Sequence, residues 1–159
     1  MNYIEQYNKL PESFQNLVFI TAFNNPSPQS ELTKHFKRYE VECKCGCKKL
    51  PTPLSLSVLE LLRRKTKKAF IINSGARCAR YNQKIGGAKY SDHLNGEAYD
   101  IKADSRLIYE IIREIVLLEK KYDGALVQKI SPYTKHLHIS ILERDTTPAI
   151  FPGFYKPAA

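Results

Sequence analysis

No stretch of this chain is apolar for the ~20 residues that a membrane-spanning helix needs. The longest candidates, residues 107–118 and 69–72, are short or broken by charge, so membrane insertion is not expected. Internal repeats and low-complexity tracts are absent. With 43% hydrophobic and 26% charged residues, disorder, collagen and coiled coil are excluded as descriptions of the whole chain. The first ten residues have neither a basic n-region nor an apolar h-region, so no secretory leader is expected. Acid is scarce: 16 Asp and Glu stand against 25 Lys and Arg, a formal net charge of +9. That excess suits polyanions such as nucleic acid, an anionic membrane face or the teichoic acids of a cell wall, and it serves solubility alone equally well. A chain of 159 residues makes one domain, and a domain of about 150 residues buries roughly 68–70% of its unfolded surface.

Turn-forming chemistry at Asn24-Asn25-Pro26-Ser27-Pro28-Gln29-Ser30 separates an arm, residues 1–30, from a domain over 31–145 and a tail over 146–159. Within the arm, residues 14–23 are apolar enough for one short element. Residues 53–68 read as a helix, with Leu54, Val58, Leu61 and Leu62 at three- and four-residue steps and cations crowding its C-terminal half. Residues 69–72 read as a buried strand ended by Asn73-Ser74-Gly75, and residues 76–97 as loop. Tyr99-Asp100-Ile101 suggests a short strand. A second helix, capped by Asp104 or Ser105 and running to about Lys121, carries the stripe Leu107, Ile108, Ile111, Ile112, Ile115 and Leu118. Residues 124–130 and 136–142 read as strands joined through Ser131-Pro132-Tyr133. Helices and strands in mixed order with a late antiparallel pair predict an α+β fold.

Histidine is rare, at four residues, and three of the four fall in two chemically dense segments. In His136-Leu137-His138, alternation puts both imidazoles on one strand face, about 7 Å apart by the ~3.4 Å rise, with Leu137, Ile139 and Ile141 on the core face. That separation suits one metal ligand and one group reaching a metal-held water. In residues 91–101, His93 and Asp100 lie seven apart around Gly96, which permits the turn that brings them together. Two imidazoles and a carboxylate leave one position open, as in a catalytic rather than a structural zinc site. Each segment alone reads as readily as exposed polar residues on a strand edge or a glycine turn; together they favour the metal. His35 reads as a surface or packing histidine.

Ser91-x-His93-x6-Asp100 followed by His136-x-His138 resembles the zinc peptidase family of bacterial D-alanyl-D-alanine carboxypeptidases. That family includes phage L-alanyl-D-glutamate endolysins and is allied to hedgehog and lysostaphin-type zinc folds. Ser74-Gly75-Ala76-Arg77, Asn82, Gly86-Gly87, Gly96, Ala98 and Ile101 extend the match over residues 32–142. The resemblance implies a small antiparallel sheet with helices on one side and a zinc site in a groove on it. His93, Asp100 and His138 would ligate zinc, and His136 would act on the zinc water. Arg77 and Ser91 would bind a substrate carboxylate or carbonyl, Arg77 as part of the catalytic set. Lys135 and His136 stand where some members carry an acidic base, so the base follows the subgroup with a His-x-His pair. An Arg fork suits a peptide carboxylate; a loop-bracing ion pair, for instance to Asp92, is the alternative, and Ser91 reads equally as a turn cap. Tyr81, Tyr90, Tyr99 and Tyr133 either line the groove or are half-buried.

Cys43, Cys45 and Cys47 form Cys-Lys-Cys-Gly-Cys, and Cys78 follows Arg77. A similar segment in phage-type members implies that the cluster lies near Cys78 and ties the preceding segment to the active-site loop. A second, structural zinc, disulfides and free thiols all stay open. The expected function is a zinc-dependent peptidoglycan peptidase cutting cell-wall stem peptides, acting as a monomer at the wall and encoded by a phage or prophage. A non-catalytic zinc-containing binding or phage structural module is the alternative. Nucleic-acid binding through the cysteines and the basic residues 63–68 ranks last, because it leaves the histidines unexplained.

Overall fold

The aliphatic stripes of two helices and the alternation of one strand set the architecture. In a computed structural model, which describes residues 2–122 and 127–141, the elements run α1 (Tyr3–Asn8), α2 (Glu12–Gln15), a 3-10 turn (Ile20–Asn24), α3 (Arg38–Val41), α4 (Pro53–Thr66), β1 (Ile71–Ser74), α5 (Ala79–Lys84), a second 3-10 turn (Asp92–Asn95), β2 (Ala98–Lys102), α6 (Ser105–Tyr122), β3 (Lys129–Pro132) and β4 (His136–Ser140). The strands form one antiparallel sheet in the order β1-β2-β4-β3. The fold is α+β, as the sequence predicts. No helix among the described residues is long and apolar enough to cross a membrane.

Helix α4 begins where the Thr52 hydroxyl accepts the Ser55 N–H at 3.2 Å, with Pro53 in the first turn. It ends at Lys67 in the left-handed region, φ 56°, so it is slightly shorter than the expected 53–68. In α6 the cap is Asp104, whose carboxylate accepts the Leu107 N–H at 2.9 Å. Its Ile108, Ile111, Ile115 and Leu118 are buried. Leu137, Ile139 and Ile141 of the last strand segment join Tyr99, Ile101, Leu59, Leu62, Ile111 and Ile115 in one core. Each such side chain contributes about 1.5–3 kcal/mol on burial. The opposite sheet face is left to Asp100, His136 and His138.

Several local expectations move. Residues 14–23 form no single element; α2 ends at Gln15 and a 3-10 turn starts at Ile20. The segment 1–30 sends Leu10, Phe14, Leu17, Val18 and Phe23 into the common core, and the Tyr3 hydroxyl both donates to the Leu50 carbonyl and accepts its N–H. The first strand is Ile71–Ser74 rather than 69–72. Its apolar run marks burial, whereas pairing starts at Ile71 with Lys102, and a bulge between Ile72 and Ser74 sets Ser74 opposite Asp100. The loop-rich segment 76–97 contains α5 and a 3-10 turn. Ser131-Pro132, expected as a connection, lies within β3; residues 124–126 of the expected strand 124–130 and the expected tail 146–159 fall outside the described residues.

One buried charge sits within this core. Glu60 on α4 is fully buried and accepts from Thr33 Oγ1, His35 Nδ1 and Arg64 Nε, each at 2.7 Å. His35 is thus a packing histidine. Burial pushes the Glu60 carboxyl up, but its bonds to Arg64, His35 and Thr33 more than reverse this and hold it below its ordinary value. A carboxyl lowered by folding stabilises the fold above its unfolded pKa, and that stability is lost as pH falls through the folded pKa. Glu60→Gln should therefore cost about 1–3 kcal/mol at neutral pH. Its stability should also change less with acid below pH ~4.5, the ordinary range of a Glu carboxyl. Urea denaturation of both proteins across that range measures it; parallel curves would contradict it.

Candidate metal centre

The pairing of β2 with β4 places Asp100 directly opposite His138. Cross-strand partners share a face, and Asp100 Oδ1 lies 2.8 Å from His138 Nδ1. His93 arrives from the 3-10 turn before β2. Ser91 caps that turn by accepting the His93 N–H at 3.3 Å, and Gly96 closes it in the left-handed region at φ 70°. A Cβ on Gly96 would stand 2.9 Å from the Leu50 carbonyl oxygen, so the chain turns there only with glycine. The turn aims His93 Nε2 at Asp100 Oδ2, 3.2 Å away, and the two imidazole rings meet edge to face at 5.2 Å. The ligand atoms of His93, Asp100 and His138 all lie within 4.8 Å of one another.

The hydrogen-bond partners fix the protons. His93 Nδ1 lies 2.7 Å from the Gly75 carbonyl, which can only accept, so Nδ1 carries the hydrogen and Nε2 presents a lone pair. On the other imidazole, His138 Nε2 lies 3.0 Å from Ser140 Oγ. The Ser140 hydroxyl already donates to Asp92 Oδ2 at 2.8 Å, so it accepts from His138, and His138 Nδ1 presents its lone pair inward. Lys129 Nζ, 2.8 Å from Asp92 Oδ2, completes this chain. Burial pushes Asp92 up, and the bonds from Lys129 and Ser140 bring it below its ordinary value. With those outer nitrogens donating, the inner nitrogens of both imidazoles face the two oxygens of one carboxylate, and in the neutral rings they carry lone pairs. Acceptors do not face acceptors without a cation between them. This donor set fits a divalent ion with nitrogen and oxygen preferences, and zinc above all. Burial raises Asp100, but hydrogen bonds from His138 and His93 and the charge of those rings when protonated hold it far below the usual carboxylate range.

Arg77 reaches the same carboxylate. Its Nε donates to Ser74 Oγ at 2.8 Å, one terminal nitrogen to Asn82 Oδ1 at 3.2 Å and the other to Asp100 Oδ2 at 3.3 Å. Two of its five N–H groups have no partner among the described residues. The bracing partner weighed from sequence, Asp92, pairs instead with Lys129. Asn82 is buried and donates to the Ala88 carbonyl at 2.9 Å. A Cβ on Gly87 would fall 2.1 Å from Asn82 Oδ1, so the glycine gives Asn82 its room. His136 lies on the same face of β4 but outside the ligand group, its ring stacked on Tyr133 at 4.3 Å. Tyr99 lines no groove: it is fully buried, 2.9 Å from Ser55 Oγ. Tyr90 is exposed.

Sequence reasoning missed the outer partners. The Gly75 carbonyl carries no side-chain signature. Ser140 was legible only as His138 plus two, the same-face neighbour on a strand. Asp92 and Lys129, far apart in sequence, had no mark.

The four cysteines also converge. Their sulfurs lie within 4.8 Å of one another, with Cys43 to Cys45 at 3.5 Å and Cys45 to Cys78 at 3.4 Å, and none is in a disulfide.

Comparison with known proteins agrees with this geometry. No curated protein matches the chain. Residues 30–140 match the family described as Peptidase M15, a span that holds the histidine–aspartate cluster, Arg77 and all four cysteines. The chain belongs to the Peptidase M15 family of zinc peptidases.

Proposed function

We propose that this protein is a zinc-dependent peptidase of cell-wall peptidoglycan, cutting stem peptides as a D-Ala-D-Ala carboxypeptidase or an L-Ala-D-Glu-type endopeptidase, encoded by a phage or prophage. The observation that carries the reading is the convergence of two imidazoles on the Asp100 carboxylate. His93, Asp100 and His138 would hold the ion. When bound, zinc supplies Lewis acidity and makes water ionisable near neutrality.

The remaining groups suit peptide hydrolysis. His136 shares the sheet face of His138, and an imidazole can take a proton from water and return it to a leaving amine near neutral pH. Stacking on Tyr133 restrains its ring. The two unpaired N–H groups of Arg77 suit a substrate carboxylate, while its other three hold Asp100, Asn82 and Ser74 in place. Ser91 sits at the cap of the His93 turn, where its hydroxyl could also meet a substrate carbonyl. The +9 charge favours residence at an anionic wall.

Incubation with purified muropeptides, followed by mass spectrometry with and without a chelator, should show stem-peptide cleavage that the chelator abolishes. Products formed equally in both arms would refute the metal; no products from any stem peptide would refute the substrate class. His93→Ala and His138→Ala should lose zinc and activity together. His136→Ala should keep its zinc and lose about 10²–10⁴-fold in turnover; normal turnover would remove His136 from the reaction.

The outer chain gives a separate expectation. Ser140→Ala deletes the acceptor of the His138 Nε2 hydrogen and should weaken zinc binding about 10–100-fold. Competition against a chromophoric chelator measures it, and an unchanged affinity would mean that Ser140 does not orient the ligand.

A further inference from the structure

The cysteine cluster lies apart from the histidine–aspartate site, and no step of peptide hydrolysis uses it. Its geometry is that of a closed shell. A zinc–sulfur bond of about 2.3 Å gives a tetrahedron with edges of about 3.8 Å. The sulfurs of Cys43, Cys45, Cys47 and Cys78 all lie within 4.8 Å of one another, with two separations of 3.4 and 3.5 Å. A disulfide needs about 2.05 Å and would join only two of the four.

The backbone around the sulfurs is arranged to donate. The Cys78 N–H reaches Cys43 Sγ at 3.3 Å, and the Tyr81 N–H reaches Cys78 Sγ at 3.4 Å, where Cys78 caps α5. Backbone hydrogen bonds from Cys47 and Lys49 reach the sulfurs of Cys45 and Cys47. Every sulfur is thus an acceptor, the role of a thiolate. The tight turn that gathers the first three is built for the purpose: Gly46 and Lys48 both take positive φ, 84° and 63°, and the Cys43 N–H closes onto the Lys49 carbonyl at 2.9 Å.

The cations of the cysteine turn, and the arginine that bonds it, are themselves held. Buried Arg38 donates to the Lys48 carbonyl at 3.4 Å and to the Phe23 carbonyl at 2.6 Å. Lys44, Lys48 and Lys49 each donate to a carbonyl outside the turn, those of Tyr39, Pro26 and Leu94. With their ammonium groups tied to these carbonyls, the lysines are engaged by the fold itself.

We propose that Cys43, Cys45, Cys47 and Cys78 form a second metal centre, a four-thiolate zinc site that clamps the 43–49 turn to the loop carrying Arg77. Binding displaces four thiol protons for one divalent ion and leaves a complex of net charge −2. The clamp acts on the first centre through the chain, since Cys78 adjoins Arg77, which bonds Asp100, and the Gly75 carbonyl orients His93.

The test is metal counting on the full-length protein purified under reducing conditions. The unmodified protein should hold about two zinc ions per chain, and the His93→Ala/His138→Ala double variant about one. Loading that double variant with Co²⁺ should give intense sulfur-to-metal charge-transfer absorption in the near ultraviolet. Cys45→Ser in the same background should abolish it. Because Cys45→Ser alone could prevent folding, thiol titration of the folded double variant gives an independent reading: the cysteines should resist a thiol reagent until zinc is removed. A double variant with no zinc, a cobalt spectrum without thiolate bands, or a mass showing the loss of two hydrogens to a disulfide overturns the proposal.

Discussion

The Asp100 carboxylate is the point on which the site depends, and its position is a matter of strand register. In the β2–β4 pair it faces His138, and the same register puts Ile101 against Leu137 and Tyr99 against Ile139. Those four apolar side chains are fully buried. A slip of β2 by one residue would turn Tyr99 and Ile101 to the polar face and send the aspartate into the core. The free energy that holds carboxylate and imidazole together is therefore mostly not their own. It is the burial of the neighbouring aliphatic and aromatic groups, about 1.5–3 kcal/mol each, which makes the register much harder to shift than one ionic contact could.

Asp100 is partly buried and bears charge, and the chain compensates in two directions. Inward, two imidazoles and Arg77 surround it. Outward, each imidazole is anchored by a group that can only accept its hydrogen: a backbone carbonyl for His93, and for His138 a hydroxyl already committed to Asp92. Fixing the outer nitrogens fixes the tautomers, and so directs both lone pairs at one point before any ion arrives. Lys129 keeps Asp92 ionised, and an ionised Asp92 keeps the Ser140 hydrogen pointed away from His138. A distant lysine thus helps decide which nitrogen of His138 is available to a metal.

The parts legible in the sequence are those written in periodicity or in residue chemistry. The stripe from Leu107 to Leu118 gave α6, because a helix buries every third or fourth residue. Alternation from His136 to Ile141 gave the two faces of β4. His93, Asp100 and His138 stood out because a rare residue type was concentrated near a turn-forming glycine. The rest was hidden for definite reasons. α5 has six residues, too short for a periodic signal, and its cap is a cysteine sulfur rather than an ordinary hydroxyl or carboxylate. β1 begins two residues late because apolar content reports burial while pairing reports hydrogen bonds. Tyr99 read as either groove-lining or half-buried because tyrosine is amphipathic; it is fully buried, and its hydroxyl meets Ser55 within the core. The Gly75 carbonyl was invisible because every residue has one.

Residues 75–78 show how tightly the cysteine cluster and the histidine–aspartate cluster are bound to one another. Gly75 has no space for a side chain: a Cβ would fall 2.3 Å from the Val41 carbonyl oxygen. That closeness allows the Ala76 N–H to donate to the same carbonyl at 3.0 Å, two residues before Cys43. The next residues point to different tasks, the Gly75 carbonyl to His93, Arg77 to Asp100 and Cys78 to the other cysteines. Four consecutive residues therefore join the segment that carries three cysteines to the histidine–aspartate cluster. A loop gains rigidity by being tied at many points. Close packing at Gly75, a three-way guanidinium at Arg77 and a sulfur cluster at Cys78 are three such ties within one turn of chain, and they explain why small, cationic and thiol side chains follow one another there.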